Sequence, residues 1–444
     1  MKKLFFFFAM TLLALASNKA TAQKNNAVEV QAMLDRFLSY VKIESQSTYP
    51  DDTQSFQVNQ GQKDIAEFIF AELNAINGLE VTMSPDYYIY AKLSSNSTRC
   101  RTTVAFMAHM DVTPECAGTG IRPQVIRNYK GGDIQLGTSG LVISPDSAQG
   151  RHLNDVVGKT IVTSNGTTNI GADDKTGCAV LVSMIEDLAK NKAIEHGDVY
   201  LVLSQNEDVG QAADRINLDY LDKTPDMLID VDGGDVFRYS VGNFSAQGRK
   251  YLFKGNLKHV GDGKRNGFVD AATAAHYFIG ALPPSVNPMF SEGRQGYLQA
   301  YIFDNLPNGD VRVSFRIRYF DRADSVFYAS LFDNAEAKTL ESFPGLEIVK
   351  EADYLQYDNV GNAMNPATIK VIESAAKRTE IPLEPEIIRA GTTGAMMVAK
   401  GLPGAPCLYS GQQAEHTVYE WCCIEELVEI KRLCIGIVEE VAKQ

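Results

Sequence analysis

The feature that most constrains this chain is an alternation, between residues 104 and 231, of short apolar runs with a segment of helical period. Val104–Ala108, Thr160–Thr163, Val199–Ser204 and Met227–Val231 are four- to six-residue runs rich in Val, Ile and Leu, and Thr176–Lys190 carries apolar residues at helical spacing. Strands that lie parallel need a crossover, usually a helix, and a sheet covered on its faces reads as continuous apolar runs. The pattern therefore predicts an α/β fold, a mostly parallel sheet flanked by helices. Helical spacing also appears over Val28–Val41 and Ile65–Leu73, while the Gly/Pro-rich stretch from Pro114 to Gly150 reads as loop.

From about Ser245 the texture changes. Two-residue alternation marks Ala246–Phe253, Gln299–Phe303 and Val311–Tyr319, with helical segments at Ala271–Leu282 and Ser325–Phe343. After Tyr354 the α/β texture returns: helix Ala367–Arg378, strand Cys407–Ser410 and a last helix Ile424–Val441. The expected organisation is one α/β domain formed by 23–244 and 356–444, split by a smaller α+β domain at 245–355. A chain of 444 residues accommodates two or three such domains.

The first residues read as a secretory signal peptide: Lys2 and Lys3, an apolar run from Leu4 to Ala16, and Ala20-Thr21-Ala22 as the cleavage site. The run is too short to span a bilayer. On this reading the protein is periplasmic or secreted, starts near Gln23 and has no membrane association after cleavage. The net charge is −13, and loss of Lys2, Lys3 and Lys19 makes the mature chain more acidic still. Such a surface repels nucleic acid and anionic membranes. Seven cysteines, an odd number, leave at least one thiol unpaired, and without a CxxC pair they do not suggest a cysteine zinc site. Cys422, Cys423 and Cys434 read as core residues of an apolar helix.

Ligands of open α/β sheets sit beyond the carboxyl ends of strands, and polar residues recur there. The run Val104–Ala108 is followed by His109 and Asp111, on one side of the chain by two-residue period. A metal-bound imidazole needs its other nitrogen held, often by a carboxylate, so His109 reads as a ligand and Asp111 as its orienter. Asp173 and Asp174 open the predicted helix at 176–190, Glu207 and Asp208 follow Val199–Ser204, and Asp230 and Asp232 end the next strand beside Gly233-Gly234. His416 follows the Cys407–Ser410 strand, four residues before Glu420. Each piece alone is weak, because acids at a helix start serve as caps and acids after a strand occupy solvated turns. Together they supply two histidines and at least three carboxylates, a nitrogen and oxygen donor set suited to zinc, with manganese or cobalt as alternatives. Nucleophile-elbow, phosphate-loop and HExxH motifs are absent from the sequence.

At these residues the chain resembles the peptidase T family, tripeptide aminopeptidases of the co-catalytic zinc exopeptidase group. The segments that carry the likeness are 106–115, 128–137, 167–177, 231–234, 317–322, 389–394 and 401–403. The resemblance implies two zinc ions: His109 and Asp232 terminal on one, Asp208 and His416 terminal on the other, and Asp173 bridging. It makes Glu207 the general base, Asp111 the orienter of His109, and His259 a contact to the scissile carbonyl oxygen. It assigns Arg318 to the substrate carboxylate and Arg389, Gly391 and Thr392 to the substrate pocket. It also implies a homodimer formed through the smaller domain, which acts as lid and dimerisation element. Departures are Asp208 where the family has Glu, Thr393 in place of Asp, Tyr419 in place of His, and Gln412 in place of the second glycine before the last histidine loop. The expected activity is release of the N-terminal residue from short peptides. A dipeptidase, carboxypeptidase or deacylase on the same site, or a non-catalytic peptide-binding homologue, are the alternatives.

Overall fold

The computed structural model describes residues 26–49 and 55–444. The first residues, on which the signal-peptide expectation rests, lie outside the described residues. The chain forms two compact units: one from the stretch up to Tyr239 with Pro366–Glu384 and Cys407–Gln444, the other from Ser240–Asn365 with Pro385–Pro406.

The first unit is built on strands β1 (Leu79–Met83), β2 (Ile89–Leu93), β3 (Val104–His109), β4 (Val199–Ser204), β5 (Met227–Gly233) and the first two residues of β6 (Arg238–Asn243), with β11 (Cys407–Tyr409) from the end of the chain. They are ordered β1-β2-β4-β3-β5-β11-β6. The pairs β3/β4, β3/β5 and β5/β11 are parallel, whereas β1/β2, β2/β4 and β6/β11 are antiparallel. The sheet is therefore mixed, with a parallel centre and antiparallel margins. Every residue of β3 and β4 is buried, which is why both read as unbroken apolar runs. The central parallel strands point the same way, so the segments after β3, β4, β5 and β11 emerge at one end of the sheet.

Helices flank this sheet: α1 over 26–41, α2 (Gln60–Asn74), α3 (Ala172–Lys190), α6 (Pro366–Thr379) and α8 (Ile424–Val441). Asn59 starts α2 with a reciprocal capping pair, accepting the Gln62 N–H while the Gln62 side chain accepts the Asn59 N–H. The beginning of α3 is irregular, with Gly171 at φ 70° and Asp173 and Asp174 outside helical dihedrals. Gly177 lets α3 approach β5 closely, since a Cβ there would sit 2.2 Å from the Val231 carbonyl oxygen. Cys422 and Cys423 lie on a short strand, Trp421–Cys423, rather than on a helix, and of these three expected helix residues only Cys434 is helical. All seven cysteines are free, and Cys116 alone among them is not buried.

The second unit holds an antiparallel sheet of β7 (Ser245–Lys254), β8 (Tyr297–Asn305), β9 (Val311–Tyr319) and β10 (Glu347–Tyr357), ordered β8-β9-β7-β10. Alternate residues of β7 and β9 face helices α4 (Ala271–Gly280) and α5 (Asp324–Ser342) across an aromatic core of Tyr251, Phe253, Phe278, Phe315 and Phe332. A further helix, α7 (Thr393–Ala399), is capped by Thr392, whose hydroxyl accepts the Ala395 N–H at 3.2 Å.

Candidate metal centre

The end of the first unit's sheet at which β3, β4, β5 and β11 finish gathers the acidic and histidine residues. His109 ends β3, its imidazole 1% exposed. Its Nε2 is 2.9 Å from Asp173 Oδ1 and 3.6 Å from Asp232 Oδ1. Its Nδ1 is 3.1 Å from the Asp111 carbonyl oxygen and 3.4 Å from Asp111 Oδ1. Asp111 has a second contact that the sequence did not suggest: its Oδ1 accepts the backbone N–H of Glu207 at 3.1 Å.

His416, after β11, places Nε2 3.1 Å from Asp173 Oδ2 and 2.8 Å from Asp208 Oδ1. Asp173 thus divides its two oxygens between the two imidazoles. The donor atoms fall into three compact groups, His109–Asp173–Asp232, Asp173–Asp208–His416 and His109–Glu207–Asp208, each with its atoms within 4.8 Å of one another. Asp174 is used differently. Its Oδ1 accepts the Gly177 N–H and its Oδ2 the His109 N–H, so it caps α3 and ties that helix to β3.

The electrostatics of this cluster call for cations. Burial first, and then neighbouring carboxylates, push the carboxyls of Asp174, Glu207, Asp208 and Asp232 well above the ordinary range. Burial acts upward on Asp173 as well, yet hydrogen bonds to His109 and His416 hold it below that range. The imidazoles respond in the opposite sense. Burial alone would lower them, but the surrounding carboxylates raise His109 well above its usual value and bring His416 up to about 12. The cluster draws positive charge onto its own histidines. The buried oxygens Asp208 Oδ2 and Asp111 Oδ2 have no hydrogen-bond partner among the described residues. Buried charge of one sign is costly unless paired or metal-coordinating, and the two nitrogen and three carboxylate donors fit two divalent ions that share Asp173.

Three neighbours carry no role in the sequence reading. Glu115 puts Oε2 3.2 Å from Nδ1 of His416, the place of a carboxylate that orients a metal-bound histidine. It closes the 106–115 segment. Gln412, at the position where the family has glycine, donates from Nε2 to the Asp232 carbonyl oxygen at 3.0 Å and lies 3.4 Å from its Oδ1. Glu420 accepts three backbone N–H groups from the loop that carries Asp173.

The remaining candidate residues lie in the second unit. His259 is exposed at the start of a single 3₁₀ turn, Val260–Asp262. Arg318, on β9, packs its guanidinium over the rings of Phe244 and Tyr357 and donates to the Ile317 carbonyl at 3.0 Å. Arg389 stacks over Phe244 and Tyr297 and donates to the carbonyls of Gly293 and Gln295 and to the Ser291 hydroxyl. Gly391 lies against Tyr357, whose ring a Cβ would meet at 2.8 Å.

No family model matches the chain. Peptidase T of Alkaliphilus oremlandii is 30% identical over 419 residues, covering 93% of this chain and 99% of the relative. Peptidase T of Listeria monocytogenes serotype 4b (strain CLIP80459) is 32% identical over 414 residues, covering 92% and 98%. The chain belongs to the peptidase T family. Solved structures agree on the fold. The aminopeptidase PepT of Bacillus cereus superposes with a TM-score of 0.70 at 20% identity, covering 93% of this chain and 99% of that one. The YXEP protein of Bacillus subtilis, described as a dinuclear metal-binding peptidase of the M20 family, superposes at 0.61 with 12% identity, covering 94% and 99%. Membership of the peptidase T family corrects the export expectation. The homologues at about 30% identity are cytosolic enzymes, which overturns the expected periplasmic or secreted location.

Proposed function

We propose that the chain is a metallo-exopeptidase that removes the N-terminal residue from short peptides, tripeptides by family resemblance. The observation that carries the reading is the division of Asp173 between the imidazoles, with Oδ1 2.9 Å from His109 Nε2 and Oδ2 3.1 Å from His416 Nε2. In this reading His109, Asp173 and Asp232 hold one divalent ion, and Asp173, Asp208 and His416 hold the other. Nitrogen and carboxylate donors without thiolate favour zinc, with manganese and cobalt as alternatives. Such ions, when bound, supply Lewis acidity that polarises a scissile carbonyl and eases deprotonation of water.

Glu207 is the general base: it takes a proton from the attacking water and gives it to the departing amine. Asp111 serves both partners. Its carbonyl and Oδ1 flank Nδ1 of His109, leaving Nε2 for the ion, and its Oδ1 holds the Glu207 backbone. Asp208, one methylene shorter than the family's glutamate, still brings Oδ1 to 2.8 Å from His416 Nε2, which supports its place in the donor set. The roles of His259, Arg318, Arg389, Gly391 and Thr392 toward substrate rest on resemblance alone, as does the homodimer, for which light scattering is the test.

The deciding experiment combines metal analysis with a panel of free and N-acetylated di-, tri- and tetrapeptides. Two ions per chain and cleavage confined to free-amine peptides, tripeptides fastest, is the expected result. Cleavage of acetylated substrates, or release of the C-terminal residue first, refutes the aminopeptidase reading.

A further inference from the structure

Glu420 lies four residues after His416 and is 1% exposed. Its Oε2 accepts the N–H groups of Ile170 at 2.8 Å and Gly171 at 2.7 Å, and its Oε1 accepts that of Asp173 at 3.0 Å. The acceptor is remote in sequence, 247 to 250 residues from its donors. The first N–H groups of a helix have no partner within it and are normally met by a nearby capping side chain. Here Gly171, at the cap position of α3, makes no side-chain cap, and Asp173 and Asp174 lie outside helical dihedrals. One buried carboxylate from the C-terminal segment takes the place of local capping. Charge-assisted acceptance of several N–H groups is directional and fixes the path of the backbone that offers them.

We propose that Glu420 is a positioning residue for the two-ion centre: by clamping the backbone of residues 170–173 it sets the aim of the Asp173 carboxylate, and it ties that loop to the segment that supplies His416. The proposal rests on the reading of Asp173 and His416 as ligands given above. The same five residues then deliver one ligand directly, through His416, and hold a second, through Glu420. Because Asp173 faces both donor groups, a slackened loop weakens both ions together rather than one.

Glu420→Gln keeps the size of the side chain but turns an amide NH₂ toward at least one of the three N–H donors. The test titrates Co²⁺ into chelator-stripped full-length protein and records affinity and the visible absorption of the bound ion. Partners outside the ligand set typically matter by about 10–100-fold in metal affinity. The expected result is a loss of that size at both ions and a changed absorption spectrum, with circular dichroism and cooperative unfolding like the parent's. Glu426→Gln is the control. That carboxylate is equally buried in the same C-terminal segment but holds His152 and the Tyr409 hydroxyl, so its variant keeps the parental Co²⁺ affinity and spectrum. Should Glu420→Gln fail to unfold cooperatively, Glu420→Asp replaces it, keeping the charge but withdrawing it by one methylene.

Parental affinity at both ions in the folded variant overturns the proposal. So does weakening of one ion alone, which contradicts an action through a shared carboxylate. A parent that takes up fewer than two ions defeats the two-metal reading itself. A parent and a variant that both take up two equally tightly defeat only the role of Glu420.

Discussion

Asp173→Asn tests the centre at the atom pair on which it turns. The amide has the shape of the carboxylate but a single acceptor oxygen and no charge. In the parent, Oδ1 is 2.9 Å from His109 Nε2 and Oδ2 is 3.1 Å from His416 Nε2, so each oxygen serves its own donor group. Asparagine therefore leaves one group with an NH₂ where it had a charged donor atom. A contact to a charged group is worth about 1.5–3 kcal/mol. At 1.4 kcal/mol per tenfold, that loss weakens one ion by roughly 10- to 150-fold. The other ion keeps an oxygen donor and loses only the charge, so its affinity falls less. The assay is calorimetric titration of Zn²⁺ into chelator-stripped protein, paired with hydrolysis of a free-amine tripeptide. Two binding events in the parent become one retained and one weak event in the variant, and turnover at sub-saturating zinc falls with the weak one. Two undiminished events in a folded Asp173→Asn protein refute the assignment of Asp173 as the shared ligand.

Glu207→Gln removes the proton acceptor and keeps the side-chain volume, so turnover is expected to fall by about 10²–10⁴-fold while metal content stays parental; near-parental turnover by steady-state kinetics takes the base role from Glu207. Glu115→Gln, 3.2 Å from Nδ1 of His416 in the parent, is expected to weaken one of the two ions by about 10-fold; equal affinities in calorimetry remove Glu115 from that role. His152 offers a pH test away from the centre. Burial would lower its pKa, but hydrogen bonds to Glu426 and Asp155 outweigh this and raise it. A raised pKa in the folded state stabilises fully below the unfolded value of about 6.5 and is lost as pH rises through the folded one. The stability difference between the parent and His152→Gln, from urea unfolding, is therefore greatest in acid and shrinks above about pH 6.5; a difference independent of pH shows that the pair does not titrate in this way.

Elements with unambiguous patterning are legible in the residues alone. Strands Val199–Ser204 and Val311–Tyr319 and helix Ile424–Val441 occupy the residues that their apolar spacing predicts. Strand Leu79–Met83 is legible as well but is missing from the sequence reading: Leu79, Val81 and Met83 alternate with Glu80 and Thr82, and the burial alternates with them. Strand Glu347–Tyr357 gives no clear alternation because it lies at the edge of its sheet, mostly exposed, with four charged residues among its eleven. An edge strand is stabilised by pairing on one side and leaves a weak hydrophobic signature. Trp421–Cys423 merges in the sequence with the helix that follows, since three apolar residues ahead of an apolar helix do not mark a boundary.

The sequence by itself determined the kinds of atoms at the centre and where they occur: histidines and carboxylates just beyond strands whose parallel arrangement brings their ends together. Which oxygen meets which imidazole was decided by the tertiary structure alone. That Asp173 turns one oxygen to His109 and the other to His416, that Glu115 reaches His416 and that Glu420 clamps residues 170–173 depend on neighbours up to about 300 residues apart in the sequence. The physical reason is that strand runs and helix periods encode local conformation. The order of strands in the sheet, and hence which loops become neighbours at its end, follows from burying all of those apolar faces at once.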